Sequence, residues 1–513
     1  MKLKIKNLKL KIADFVSKNR TELILLTVIL VIGSFSRLYK ISSYMTFLGD
    51  EGRDVITVRR LLVEGHPPLI GPGTSIGNMY LGPLYYYFMA PALLLANFSP
   101  VGPAVEIAIL GIVTIAFVWW VGRSWFGKVA GIVAAALYAI APTVIIYSRS
   151  SWNPNIMPFF SLLSVYSVWK IWKEHKFGWL MILGASYAFV LQSHYLGLLL
   201  APTIFFFLLL TFRDLIRNSK LEIRNFRQKL ILGFLIFIGL MSPLFFFDLR
   251  HNWINSRAIY KFFTERQTTV SIKPWNAIPA APVIFNQIND SLISAKNVVI
   301  GGVVSVVLAI FVVVLFIFRK RYIRNAAYYL LFSWLAFGLI GLGLYKQQIY
   351  DHYFGFVFAA MFILLGACFQ FLSSYKKAIP VGVAAFIILV GINLFASPLK
   401  YPPNYQLKRA EDVAKKIEQE AGGREFNIAV IAERNYPDGY KYFLIKNRDK
   451  VVDIDAQIPS TITSQLFVVC EKEPAKCNPT NAPQAEVANF GWSKIDNSWI
   501  IDGVTIFRLI HTK

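Results

Sequence analysis

Three carboxylates, Asp50, Glu51 and Asp54, fall within five residues of one another in the stretch FLGDEGRDV, residues 47–55. Residues 1–399 carry only 14 Asp and Glu in all, so three together at one place call for a reason. A carboxylate where an apolar span meets water is costly unless it is paired or used. If this segment is helical, Asp50 and Asp54 stack on one face, and Arg53 is placed to neutralise part of the pair. The bland reading is a solvated helix start whose acids answer the dipole. Other polar residues gather at the ends of apolar runs on the same expected side of the membrane. They are Arg149 in YSRSSWNPN, His194 and Tyr195 in QSHY, Arg250 and His251 in FDLRHNW, and Asp351, His352 and Tyr353 in YDHY. Singly, each has a structural explanation: interfacial arginines meet lipid headgroups, histidines end helices, and the triplet Tyr85, Tyr86 and Tyr87 forms an aromatic belt. Together they bring acids, arginines and histidines to one membrane face while the span centres stay almost free of charge. Arginine and histidine suit a phosphate at the headgroup level, and a carboxylate suits removal of a proton from a hydroxyl. Glu64 and His66 are two candidate ligands for a divalent metal, fewer than a metal site ordinarily uses.

The elements that must hold these residues are membrane helices. The chain has 513 residues, 56% of them apolar, which excludes an ordinary soluble globular protein. Apolar runs of about 20 residues recur through the first 400 positions, each long enough to cross about 30 Å of hydrocarbon. The net charge of +24 does not point to nucleic acid, because residues 400–513 hold 16 basic against 15 acidic residues. The excess lies in short clusters between apolar runs, as topology signals do. With the basic N-terminus and these clusters in the cytosol, the runs read as 11 spans: 21–39, 104–122, 129–147, 155–173, 178–193, 195–212, 230–247, 298–318, 326–345, 353–373 and 378–397. That count holds only if Met79 to Phe98, with Pro83, Pro91 and the tyrosine triplet, lies at the interface instead of crossing. Residues 41–103 then form one long outer loop with membrane-hugging helices. From residue 400 the composition turns polar. A charged amphipathic helix precedes strands expected at 426–432, 450–455 and 464–471, with a helix at 439–446 and a closing hairpin. The expected architecture is a mainly α, polytopic helical membrane protein (residues 1–399) followed by a small α/β extracytoplasmic domain (residues 400–513). Cys470 and Cys477 are close enough for a local bridge, and the sequence leaves that open.

The chain also resembles a known family. The residues that carry the likeness are GDE (residues 49–51), GHPPL (residues 65–69), PLYYYFMAP (residues 83–91) and WFGKVAGIVAAALYAIAPTVIIYSRSSW (residues 125–152). In order and spacing these are similar to the GT-C membrane glycosyltransferases, within them the family 39 group of protein O-mannosyltransferases and bacterial aminoarabinose transferase-like enzymes. The likeness covers residues 22–212 well and the later spans in general layout. It implies a polyprenyl-phosphate-linked sugar donor, a single inverting displacement at the outer face of the cytoplasmic membrane, and Asp50 as general base. Glu51 would orient the loop or bind sugar hydroxyls. Arg149, Arg250, His352 and His194 would hold the donor phosphate and lipid, and Asp54, Tyr86, Tyr195, His251, Asp351 and Tyr353 would bind substrate. No cofactor is implied as required, and a divalent metal remains open. The acceptor can be a protein, a lipid or a glycan, with membrane lipids as surroundings. One departure is Glu106, which stands in PAVEIAI where family members often carry an arginine, so Arg149 or Arg250 would have to substitute. The reading from another class is a transporter or flippase for a lipid-linked or small solute. It would call for broken helices in two repeated halves, a pattern the sequence lacks.

Overall fold

The computed structural model describes residues 14–74, 79–218, 220–265, 269–271, 273–318 and 325–512. The basic stretch 1–13 and the basic cluster 319–324, both read above as cytosolic, lie outside these residues.

A helical stretch stands at each position where the sequence calls for a span. Among the described residues, seven helices are long and apolar enough to cross a membrane on their own. Others are shorter, and the chain gives the cause. Lys128–Ile140 stops where Pro142 cannot donate its missing N–H, and a new turn, Pro142–Tyr147, begins there. The segment Asp351–Ser373 forms the centre of the bundle and is almost wholly buried, whereas Glu222–Arg250 is almost wholly exposed. The second of these presents Phe234, Leu235 and Ile238 outward, a surface suited to lipid and unsuited to water.

Two polar locks fix the ends of the first helix, Arg20–Leu38. At its start, the buried Glu22 accepts from Arg123 Nε at 2.7 Å and Trp119 Nε1 at 3.1 Å. At its end, Arg149 donates to the carbonyls of Ser36 at 2.5 Å and Tyr39 at 2.7 Å, satisfying oxygens the helix itself leaves unpaired. The chain beyond this helix carries the acidic segment.

That segment is a helix, Gly49–Arg59, continued by one wider turn to Glu64. The stretch expected to lie at the interface contains the 12-residue helix Leu84–Leu95. At 1.5 Å per residue it spans about 18 Å, short of the hydrocarbon thickness. The chain then turns back through Asn97 and Phe98, both at positive φ, into the helix Val101–Phe126.

The C-terminal region has a helix, Gln406–Ala421, and a sheet of strands β1 (Asn427–Ile431), β2 (Gln465–Cys470), β3 (Ser493–Ile501) and β4 (Val504–His511). The strand order is β1-β2-β4-β3, with β1 and β2 parallel and the remaining pairs antiparallel. The closing hairpin turns on Asp502 and Gly503, both at positive φ, as a two-residue turn requires. The helix Asp438–Lys446 stands where expected, but the strand expected at 450–455 is absent. Only Val451 pairs, with Phe426, because the side-chain amide of Asn427 takes the next carbonyl, that of Val452, at 2.8 Å. Cys470 and Cys477 are joined by a disulfide.

This region is not held at a distance from the membrane part. Ile41, Met45, Phe47, Val55 and Leu93 share one apolar core with Leu407, Val413, Tyr442 and Phe443. Backbone groups cross the junction as well: Tyr405 N donates to Ser43 O, and Phe47 N to Gln406 Oε1.

Candidate active site

The helix Gly49–Arg59 begins at Leu48, whose N–H is accepted by Glu51 Oε2 at 3.0 Å. This return of the third residue to the cap position secures the first turn and leaves Asp50 pointing out of it. Asp50 keeps 41% of its side-chain surface exposed. Arg53 Nη1 donates to Asp50 Oδ1 at 2.8 Å, and the hydroxyl of Tyr436, from the C-terminal region, donates to the same oxygen. The other side of the Arg53 guanidinium grips Asp54 Oδ1, through Nε at 3.0 Å and Nη2 at 2.7 Å. Asp54 is fully buried and also accepts from Tyr86 at 3.2 Å. Burial pushes the Asp54 carboxyl up to about 6, against the pull of Arg53. Burial likewise pushes Glu51 up to about 7, with its bond from Leu48 opposing.

Two cavities meet at Asp50. The first, of about 210 Å³, lies under the C-terminal region and is lined by Asp50, Glu51, Tyr147, Trp152, Arg434 and Tyr436 among others. The second, of about 260 Å³, is lined by Asp50, Arg53, Trp152, His194, Tyr195 and His352 with neighbouring residues including Tyr353. Its aromatic wall is continuous: His352 lies 4.7 Å from Trp152 and 4.6 Å from Tyr353, and His194 lies 5.0 Å from Tyr353, measured between ring centroids. His194 Nδ1 accepts from Leu196 N at 3.2 Å, which places the proton of a neutral imidazole on Nε2. A third, mostly apolar groove of about 210 Å³ adjoins this cavity through Leu81 and Tyr195. It runs between Met79–Gly82, Leu191–Leu198, Met241 and Leu244, and the helix Ile254–Thr264.

Asp50, Glu51, His194, Tyr195, His352 and Tyr353 are thus brought together, and several other expected site residues are not. Arg149 caps the first helix and lies over the Tyr44 ring at 5.0 Å, so its charge is engaged away from both cavities. Arg250 and His251 are exposed at the end of the helix Lys220–Arg250, where His251 stacks on Phe247. Asp351 pairs with Lys296 at 2.8 Å. Asp54 and Tyr86 lie behind Arg53, where Asp54 holds the guanidinium and accepts from Tyr86, and neither lines the two cavities at Asp50. Glu64 and His66 stand side by side at 3.4 Å on the surface, with Glu64 also near Arg59. Two ligands do not make a metal site, and no group of three or more His, Cys, Asp or Glu able to hold a metal occurs among the described residues. Sequence reasoning passed over Arg53 as a site residue, although its spacing from Asp50 and Asp54 was visible. It also passed over Trp152, Arg434 and Tyr436.

Comparison with known proteins bears on the fold that carries these residues. Residues 81–244 match the family model described as dolichyl-phosphate-mannose-protein mannosyltransferase. No curated protein matches the chain in sequence. Among solved structures, ArnT from Cupriavidus metallidurans bound to undecaprenyl phosphate is 14% identical, with 96% of this chain and 98% of that one covered at a TM-score of 0.59. The oligosaccharyltransferase AglB from Archaeoglobus fulgidus, in complex with an inhibitory peptide and a dolichol-phosphate, is 12% identical over 88% of this chain and 70% of that one, at a TM-score of 0.52. An oligosaccharyltransferase from Archaeoglobus fulgidus in complex with Zn and sulfate is similar at a TM-score of 0.50, with 12% identity over 87% of this chain and 68% of that one. At such identities the likeness is one of fold: the chain has the GT-C fold, multi-pass in helices and completed by a C-terminal domain. The resemblance to the GT-C glycosyltransferases of family 39 is borne out, by residues 81–244 in sequence and by nearly the whole chain in fold.

Proposed function

We propose that this protein is a membrane glycosyltransferase that moves a sugar from a polyprenyl-phosphate-linked donor to an acceptor hydroxyl, with inversion. The observation that carries the reading is the position of Asp50, which lines both the cavity under the C-terminal domain and the cavity walled by His194 and His352. A general base for this reaction must touch the acceptor on one side and face the donor's anomeric carbon on the other. The donor side is supported by the apolar groove beyond Leu81 and Tyr195, which suits the first isoprene units of a lipid whose phosphate reaches the polar cavity. The undecaprenyl phosphate and dolichol-phosphate bound by the two similar proteins support a donor of that class.

The acceptor oxygen forms a bond to the anomeric carbon as the bond from that carbon to the phosphate oxygen breaks. The electron pair leaves with the polyprenyl phosphate, and the hydroxyl proton passes to Asp50. Both bonds described at this carboxylate fall on Oδ1, which leaves Oδ2 to take the proton. The departing phosphate needs donors in place of a proton. Arg53 and the imidazole N–H groups of His194 and His352 line its cavity. Arg149 and Arg250 have no share in this role. Glu51 sets the turn that presents Asp50, and Asp54 with Tyr86 steadies Arg53. No step is assigned to a metal.

Residues 1–399 serve as the membrane domain and residues 400–513 as an extracytoplasmic domain that completes the site. Arg123, Lys170 and Lys173 lie near the C-terminal ends of their helices, and Lys176 and Lys377 in connections between helices, all on the side away from Asp50, which supports a cytosolic basic face and an outer active site in the cytoplasmic membrane. Incubation of purified protein with a panel of polyprenyl-phosphate sugars tests the reading. Acceptor-dependent release of polyprenyl phosphate and a product of inverted anomeric configuration are expected. A product of retained configuration, or no release from any member of the panel, would overturn it.

A further inference from the structure

The C-terminal domain reaches Asp50 through one short segment. Asn435, Tyr436 and Pro437 lead into the helix Asp438–Lys446, and the Tyr436 ring lies directly over the backbone of Gly49. Asn435 Oδ1 accepts from Gly49 N at 2.8 Å and from Tyr436 N at 2.9 Å, so one amide ties the two chain segments together. Asn435 Nδ2 in turn donates to Glu471 Oε1 at 2.5 Å, and Tyr440 donates to the same oxygen at 2.6 Å. Glu471 follows Cys470, whose disulfide to Cys477 closes the loop at the end of β2. A continuous set of bonds therefore runs from the sheet of the C-terminal domain to the carboxylate in the membrane domain. Burial pushes the Tyr436 phenol up, with Arg53 opposing and Asp50 reinforcing, so it stays protonated and acts as a donor.

We infer that Tyr436 is a positioning residue for Asp50, holding Oδ1 so that Oδ2 is presented to the acceptor, and that the C-terminal domain is in this way part of the reaction centre. The inference rests on the proposed role of Asp50 as base. A hydroxyl donated to a carboxylate stabilises its ionised form and fixes its plane, whereas a domain that only docks would do neither. The charged and titratable groups around Asp50 are Glu51, Arg53 and Asp54 on its own helix, Arg434, Tyr436 and Asp438 from the C-terminal domain, and Tyr147, His194, Tyr195, His352 and Tyr353 from the facing walls. Tyr436 can be altered without changing the charge of any of the others. The nearest comparison is Tyr442, whose hydroxyl donates to Phe98 O at 2.5 Å and anchors the same helix without touching Asp50.

The test is the pH dependence of carbodiimide labelling at Asp50, read by peptide mass spectrometry on the full-length protein, which needs no substrate. Only the protonated carboxyl reacts, so the labelling midpoint follows its protonation. Tyr436→Phe is expected to move that midpoint up, as for the loss of one donor to a charged group. Tyr442→Phe is expected to leave it at the wild-type value. A Tyr436→Phe protein that melts with the wild type yet labels with the same midpoint would overturn the inference, as would an equal shift in Tyr442→Phe. Turnover of Asp50→Asn in the release assay separates the two layers. Activity in that variant would remove the base assignment while leaving the labelling result intact, and a dead variant with no labelling shift would remove only the role of Tyr436.

Discussion

Glu51 is 5% exposed while Asp50 keeps 41% of its side-chain surface, and the difference decides what each carboxylate does. Burial raises Glu51 from 4.5 to about 7 and Asp54 from 3.8 to about 6. A carboxyl whose folded pKa is raised holds its proton more tightly in the folded state than in the unfolded one. Its contribution to stability is full below the unfolded value and is lost as pH rises through the folded value. Thermal unfolding in detergent should therefore show the melting temperature of Glu51→Gln, which still accepts the Leu48 N–H, rising relative to that of the wild type as pH rises from about 4 to about 7. A difference between the two proteins that does not change with pH, or that moves the other way, would contradict it. The acids of residues 50–54 could be read from the sequence because their density is abnormal beside an apolar run. Their division of labour could not, since it depends on which oxygen Arg53 and Leu48 claim. The proposal leaves Arg149 out of phosphate binding for a related reason: its guanidinium donates to the carbonyls at the end of the first helix, and a charge near the interface can serve a helix end as readily as a ligand.

At the scale of elements, the contact between the helices Gly49–Arg59 and Asp438–Lys446 sets the geometry of the site. Gly52 is what allows it, because a Cβ there would sit inside the peptide joining Asp438 to Gly439. Gly52→Ala is expected to force the two helices apart, at a cost of about 1–3 kcal/mol for overpacking. Hydrogen exchange is the readout. Faster exchange at residues 435–446 with the membrane helices unaffected is expected, and exchange indistinguishable from the wild type would contradict the close approach. The helices on each side of this contact were legible, one from its acids and the other from GYKYFLIK. Their meeting was not. Tyr436 and Asp50 are 386 positions apart, and periodicity carries no information across such a distance. The missing strand at 450–455 has a local cause of the same kind, a side-chain amide that replaces a ladder bond.

The whole molecule is polarised, with Asp50 and its cavities at one end of the bundle and the Glu22–Arg123 lock at the other. The hydropathy pattern showed the spans, because any stretch that crosses lipid must be apolar whatever its partners. The apolar groove along Leu81, Tyr195 and Met241 was not visible in that pattern, since lipid-facing and groove-lining residues look alike in sequence. The groove leads to an expectation about the donor: shortening its lipid from three isoprene units to one should raise KM with kcat nearly unchanged, as for loss of uniform binding. A fall in kcat alone would place the lipid elsewhere. The most direct measurement is single-turnover sugar transfer by Asp50→Asn, with donor affinity measured on the same preparation. The expected result is a rate lower by about 10²- to 10⁴-fold with donor affinity retained, as for a positioned base removed. Transfer at close to the wild-type rate would contradict Asp50 as the group that takes the acceptor's proton.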